Sequence, residues 1–285
     1  MKTSLVLEGG GMRGAYTAGC LAWLLENDIN FDSAYGISTG AVHLCSFLSG
    51  SEDYLYDLST NHIADKSLVG IRSVLREGRI VGYDRLFNYI LPIVKKYDIT
   101  KAYESKTMAK IGIYDLDAGK TIFTNLKDMD KTNYMLKAAT TLPILGRIVE
   151  YNGHYLLDGG ITKMIPIEES INDGNDYHLV ITTKPGDYVR KEASWIIKLL
   201  MRLNYLKWKC VYDDYCVRHI NYQKQIDLIK ELEKEKKVLY IYPSEASNVS
   251  RLGGDKESLR ELYALGKRDM EAHKEEIYKM FKKNA

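Results

Sequence analysis

Residues 31–44 read FDSAYGISTGAVHL, and the pentapeptide Gly36-Ile37-Ser38-Thr39-Gly40 within them admits few backbone solutions. When an apolar strand turns into a helix at a serine, side chains two positions to either side collide, so glycine stands at both Gly36 and Gly40. The turn lifts Ser38 Oγ clear of a sheet edge and sets it at a helix N-terminus, where amide dipoles favour negative charge. Ser38 is thus the first candidate nucleophile, and Gly36 and Gly40 form its elbow. Taken alone, the pentapeptide is equally an ordinary strand-to-helix turn. Two further segments bear on the choice.

The first is the N-terminus. Lys2–Glu8 is a short apolar run typical of a buried strand, followed by Gly9-Gly10-Gly11-Met12-Arg13-Gly14 and a helical stretch, Ala15–Glu26. Such a concentration of glycine adds no packing and raises the entropy lost on folding. It lets the backbone curl so that several N–H groups aim at one point, a nest for an anion. In acyl transfer that anion is the oxyanion of a tetrahedral intermediate, and one aimed donor is worth about 3–4 kcal/mol of barrier. Gly9, Gly11 and Gly14 also have the Gly-x-Gly-x-x-Gly spacing of a dinucleotide site, which would make the chain an oxidoreductase. That fingerprint needs an acid at the end of the second strand. Asp28 and Asp32 fall before that strand, and its end carries Ser38 instead.

The second is Tyr155-Leu156-Leu157-Asp158-Gly159-Gly160, an apolar strand ending in an aspartate and two glycines, with Pro166 where a helix could begin. An isolated DGG is a plain turn. Beside a glycine nest and a serine elbow, Asp158 becomes the partner that could take the Ser38 proton.

The ordered set GGGxRG, GxSxG and DGG resembles the patatin-like phospholipase family, over roughly residues 3–185 by the reach of its motifs. The resemblance implies a three-layer α/β/α fold with a mostly parallel central sheet and a helical C-terminal extension. Residues 1–185 would form the catalytic core and 186–285 the extension, packed as one continuous domain. It implies a Ser–Asp dyad without histidine: Ser38 as nucleophile and Asp158 as base. The amides of Gly10, Gly11 and Met12 would form the oxyanion hole, with Arg13 in support. The substrate would be a glycerophospholipid or lysophospholipid, with no cofactor and no metal. Many members carry asparagine between DGG and the proline, where this chain has Lys163-Met164.

A conventional triad would need a histidine. His178 lies in the apolar strand Tyr177–Thr183 and reads as a core residue. His219 lies in the polar run Val217–Gln225, and His43 is on the elbow helix, facing packing.

Forty basic against 38 acidic residues make no demand for nucleic acid, and 45% hydrophobic content supplies one large core. The N-terminal apolar run is far too short for a signal peptide or a membrane span. Cys20, Cys45, Cys210 and Cys216 have no metal-like spacing, and Cys20 and Cys45 read as core fillers. This usage points to a reducing cytoplasm, with the protein peripheral at the inner membrane face if it touches lipid.

Periodicity predicts the elbow helix at Thr39–Leu48, a helical, strand-free region over 51–100, and hairpins at Lys110–Asn125 and Arg147–Asp158. It predicts further helices at Lys131–Thr141, Gln223–Lys237 and Lys256–Phe281, and a strand at Val238–Tyr242. Trp195–Lys209 is basic and amphipathic: it covers the flank of the core or forms a dimer surface, and it is the chain's best candidate for membrane contact. Three function classes follow: a lipid ester hydrolase, a lipid-binding or regulatory protein of the same fold, and a dinucleotide-dependent oxidoreductase.

Overall fold

A computed structural model describes residues 1–65, 67–94, 100–129 and 132–282. Residues 66 and 95–99 of the helical region, and Lys131 at the head of one expected helix, lie outside them.

Among the described residues eight strands form one sheet: β1 (Thr3–Leu7), β2 (Ser33–Ile37), β3 (Met108–Asp115), β4 (Lys120–Asn125), β5 (Val149–Tyr151), β6 (His154–Asp158), β7 (Tyr177–Ile181) and β8 (Val238–Ile241). The main order is β5-β6-β3-β2-β1-β7-β8, with β4 paired to β3. The strands β3, β2, β1, β7 and β8 run parallel, and β4, β5 and β6 are antiparallel additions. Parallel strands are covered on both faces, which is why β1 is an unbroken buried run. Its side chains alternate. Leu5 and Leu7 enter the larger core, shared with α1 (Gly14–Glu26) and α2 (Thr39–Leu48), while Val6 enters a second core with Tyr222, Ile226 and Ile229.

The C-terminal helices close these layers. Helix Arg218–Lys234 covers the second core, and helix Lys256–Ala272 crosses α1 on the other face. That crossing is close because a Cβ on Gly19 would stand 2.0 Å from Tyr263 O and one on Gly266 2.3 Å from Tyr16 O. Tyr16 locks it by donating to buried Asp269 (2.8 Å).

Both predicted hairpins form, the second through Asn152 (φ 49°) and Gly153 (φ 79°), two positive-φ residues that suit the twist of the flanking strands. Two helices break off earlier than periodicity predicts. The expected Lys256–Phe281 helix divides into Lys256–Ala272 and Lys274–Phe281, because His273 turns its Nδ1 to the Asp269 carbonyl (3.0 Å) and leaves helical dihedrals. The expected Trp195–Lys209 helix ends at Asn204, whose side chain takes the Leu200 carbonyl (2.9 Å), and a new helix begins at Lys209. Helix Arg218–Lys234 starts five residues before the expected Gln223. Among the described residues no helix is long and apolar enough to cross a membrane.

Candidate active site

The sheet brings Ser38 and Asp158 together through one strand. Along β3, one edge is taken by β4 from Lys110 to Asp115. The other edge is shared. Strand β2 runs parallel to it as far as the Ile37–Gly112 pair, and β6 runs antiparallel to it down to the Ile113–Asp158 pair. The two strands end nose to nose. Ser38 follows the last residue of one, and Asp158 is the last residue of the other.

Ser38 is buried and holds φ 56°, ψ −127°, a conformation that a non-glycine residue adopts at a cost of about 1–3 kcal/mol. Its neighbours leave no alternative. A Cβ on Gly36 would stand 2.8 Å from Ala41 Cα, one on Gly40 2.8 Å from Glu8 O, and one on Gly9 2.8 Å from Ser38 Cβ. Helix α2 starts at once, with Ala41 N donating to Ser38 O (2.9 Å).

Asp158 is buried, and its Oδ1 accepts from Gly160 N at 2.7 Å. Burial raises its pKa. The nearby Ser38 hydroxyl opposes that, as do the Gly160 amide and the charges of Arg218 and Arg251, and the balance stays above the ordinary aspartate value. The carboxyl is therefore a stronger base than a free aspartate.

In the glycine-rich loop, Gly9 N donates to Met164 O (3.2 Å), and no acceptor among the described residues takes the Gly10 or Gly11 amide. The Met12 amide, expected in the oxyanion hole, donates here to Arg251 O at 3.0 Å. The same carbonyl would stand 2.3 Å from a Cβ on Gly11, whose φ is +62°, so the segment carrying Arg251 lies directly over the loop. Arg13 Nε donates to Val249 O (3.2 Å), a second tie to that segment.

Beneath the loop lies a buried ion pair. Glu8, at the end of β1, accepts from Lys184 Nζ, from Thr183 N (2.6 Å) and from Thr183 Oγ1 (2.9 Å). Burial alone would raise the Glu8 pKa, and these partners bring it below its usual value.

The histidines stand apart. His43 is buried, and desolvation pushes its pKa down to about 4. His178 is buried between Ser4 Oγ (2.8 Å) and Ser170 Oγ (2.9 Å), also with a pKa pushed down to about 4 by burial. Among the described residues no histidine lines the cleft at Ser38. Asp32 accepts from Thr3 N (2.8 Å) at the start of β1, the end opposite the glycine loop, so it cannot serve a ribose held there.

Two clefts meet at Ser38. One is polar and lined by Arg13, Asp158, Arg190, Arg218 and Arg251. The other is apolar and lined among others by Val42, Leu58, Leu68, Phe87 and Leu142. Gly11, Ser38, Leu142 and Arg251 belong to both.

The C-terminal hundred residues supply parts of the site that no motif announces. Arg218 Nε donates to Gly160 O. Buried Gln225 Oε1 accepts from Met164 N (3.2 Å) and Ile165 N (3.0 Å), holding the loop after DGG. Helix Trp195–Asn204 buries Met201 against Leu157 and Ile161, beside Asp158. Its other side is open: Trp195 is 73% exposed and Leu203 57%, with Leu206 following at 76%. Helix Ile71–Glu77, next to the apolar cleft, likewise leaves Ile71 and Leu75 exposed at 77% and 83%.

Residues 5–171 match the profile of the patatin-like phospholipase family, and residues 209–282 match that of a domain of unknown function (DUF6363). The uncharacterized protein YjjU of Escherichia coli K12 is 24% identical over 280 residues, spanning 93% of this chain and 75% of that protein. A probable lipid hydrolase, 463L of Invertebrate iridescent virus 6, is 25% identical over 217 residues, 67% of this chain and 73% of that one. The crystal structure of VipD from Legionella pneumophila superposes with a TM-score of 0.50 at 13% identity, over 95% of this chain and 66% of VipD, a likeness of fold alone. The family profile covers more than half of the sequence, and the α/β/α sheet architecture agrees with it: the chain belongs to the patatin-like phospholipase family, a family of lipid hydrolases.

Proposed function

We propose that the protein hydrolyses a carboxylic ester of a glycerophospholipid or lysophospholipid through a Ser38–Asp158 dyad. The observation that carries this reading is Ser38 itself: a strained, positive-φ serine that shares a cleft with a buried carboxyl of raised pKa. Ser38 Oγ attacks the ester carbonyl carbon as Asp158 takes its proton. The carbonyl oxygen, now an oxyanion, accepts from the Gly10 and Gly11 amides, and from Met12 if the Arg251 carbonyl withdraws. Collapse breaks the ester C–O bond, and Asp158 returns the proton to the leaving alcohol. Water then adds to the acyl-serine, giving its proton to Asp158, and the second collapse releases the fatty acid and restores the Ser38 hydroxyl.

The apolar cleft would take the acyl chain. Ile71–Glu77 and Trp195–Asn204 both carry exposed apolar side chains, the first helix beside the apolar cleft and the second sharing a core cluster with Leu157 and Ile161 through Met201. This supports a membrane contact formed by both, with Arg202 and Lys209 near lipid phosphates. Residues 1–185 and 186–285 would act as one continuous domain.

The test is labelling with a fluorophosphonate and turnover of p-nitrophenyl butyrate by wild type, Ser38→Ala and Asp158→Ala. Labelling and turnover lost in both variants supports the dyad. A folded wild type that neither labels nor turns over, with or without liposomes, refutes it and favours a lipid-binding protein of the same fold.

A further inference from the structure

The polar cleft beside Ser38 is unusually cationic. Arg13, Arg190, Arg218, Arg251 and Lys184 line it, against Glu8 and Asp158. Lys184 and Glu8 neutralise one another, which leaves four guanidiniums facing the single carboxyl of the proposed base. Among the described residues none of the four has a carboxylate within 4.0 Å.

Their positions are set by neutral partners. Arg13 is held by the Val249 carbonyl and Arg218 by that of Gly160. The guanidinium of Arg190 lies 5.4 Å from the Tyr222 ring centroid, and that of Arg218 5.5 Å from the Tyr215 ring. Carbonyls and ring faces orient a guanidinium without cancelling its charge. Burial and the neighbouring arginines lower the pKa of both Arg13 and Arg218. Half-buried like charges repel, and an anion in the cleft is what relieves them.

The cleft is open to solvent, and it meets the apolar cleft at Ser38. An ester carbonyl at Ser38 with its acyl chain in the apolar cleft directs the rest of the molecule among the arginines. We propose that Arg190, Arg218 and Arg251 bind the phosphate of a glycerolipid headgroup that carries no cation of its own, as in phosphatidic acid. Assigning the lipid's orientation rests on the hydrolase reading of Ser38. A choline or ethanolamine headgroup would bring its ammonium into the same positive field. A phosphomonoester offers more charge and bidentate oxygen pairs that match guanidinium forks.

The test uses monomeric short-chain lipids, so that surface charge on a bilayer plays no part. The Ser38→Ala protein is titrated calorimetrically with dihexanoyl phosphatidic acid, dihexanoyl phosphatidylcholine and inorganic phosphate. The phosphatidic acid should bind at least ~10-fold tighter than the phosphatidylcholine, the factor that one charge-assisted contact supplies. Adding Arg190→Gln should weaken it about 10-fold, and Arg190→Lys should recover part of that loss. Arg251→Gln, which keeps the carbonyl that holds Met12, should act like Arg190→Gln. Equal affinity for the two lipids, or phosphatidic acid binding untouched by both glutamine variants, overturns the proposal. Inorganic phosphate binding as tightly as the lipid also overturns it, because the cleft then serves a free anion. Wild-type turnover of both lipids is read alongside. Charge discrimination in binding with no turnover would refute the hydrolase reading alone, and turnover blind to the headgroup would refute this one alone.

Discussion

Replacing Lys184 by methionine isolates the ion pair under the glycine loop. Glu8 is fully buried and Lys184 is 5% exposed, so neither charge is shared with water. Removing the ammonium leaves the carboxylate with two neutral donors, Thr183 N and Thr183 Oγ1, and with Arg13 as a more distant cation. Breaking a buried pair in this way costs about 3–5 kcal/mol, and the surviving donors set the expectation at about 3 kcal/mol. In a chain of this size that lowers Tm by about 6–12 °C.

The pH dependence follows from the sign of the shift. In the wild type the Glu8 pKa is depressed, so the pair contributes stability above the unfolded glutamate value, and that stability is lost as pH falls through the folded one. Without Lys184, burial dominates and turns the Glu8 pKa upward, so protonation relieves the variant. The deficit is therefore largest at pH 7 and narrows toward about pH 4.3. The double variant Glu8→Gln/Lys184→Met removes both charges and should return to within about 1 kcal/mol of wild type. Thermal and urea unfolding of all three proteins at pH 7 and pH 5 reads each quantity. A single variant within about 1 kcal/mol of wild type at pH 7, or a deficit that grows on acidification, would refute the reasoning.

Other outcomes follow from the same geometry. Gly9→Ala puts a methyl 2.8 Å from Ser38 Cβ, and a displacement of about 1 Å there should cut kcat/KM for p-nitrophenyl butyrate about 100-fold; unchanged turnover would mean that the loop yields freely. The acid limb of the pH–rate profile should lie above the ordinary aspartate value of about 3.9, and Arg218→Gln should move it higher, because a cation that favours the carboxylate is lost; a limb that stays or moves down counts against Asp158 as base. Gln225→Leu strips the acceptor from two buried amides and should cost about 2 kcal/mol or more in urea unfolding. Leu68→Trp fills the apolar cleft and should shift the preferred acyl length of p-nitrophenyl esters downward; an unaltered chain-length profile would move the acyl site elsewhere.

Much of the fold was legible because local chemistry and tertiary structure agree. The elbow helix Thr39–Leu48 has the bounds that periodicity predicts, and the Asn152-Gly153 turn fixes the hairpin that delivers Asp158. The helix breaks at Asn204 and His273 escaped because side chains there bond to carbonyls four residues back, which amphipathic spacing does not register. The site divides in the same way. Ser38 and Asp158 advertise themselves through glycines that steric contact requires. Arg218, Gln225 and Arg251 carry no such local mark, since their roles exist only after the C-terminal segments pack over loops more than fifty residues distant in sequence.

The shared edge of β3 makes that strand a ruler. Two strands of opposite direction are measured against it and stop at consecutive marks, Gly112 and Ile113. One residue inserted between those marks would add about 3.3 Å to the separation of Ser38 and Asp158 and would break the β4 register that runs across both of them. Loops at either end of the chain can lengthen, shorten or exchange without touching this interval. The length of β3 cannot, so lineages diverging in everything around the pair should keep that strand's residue count as their common inheritance.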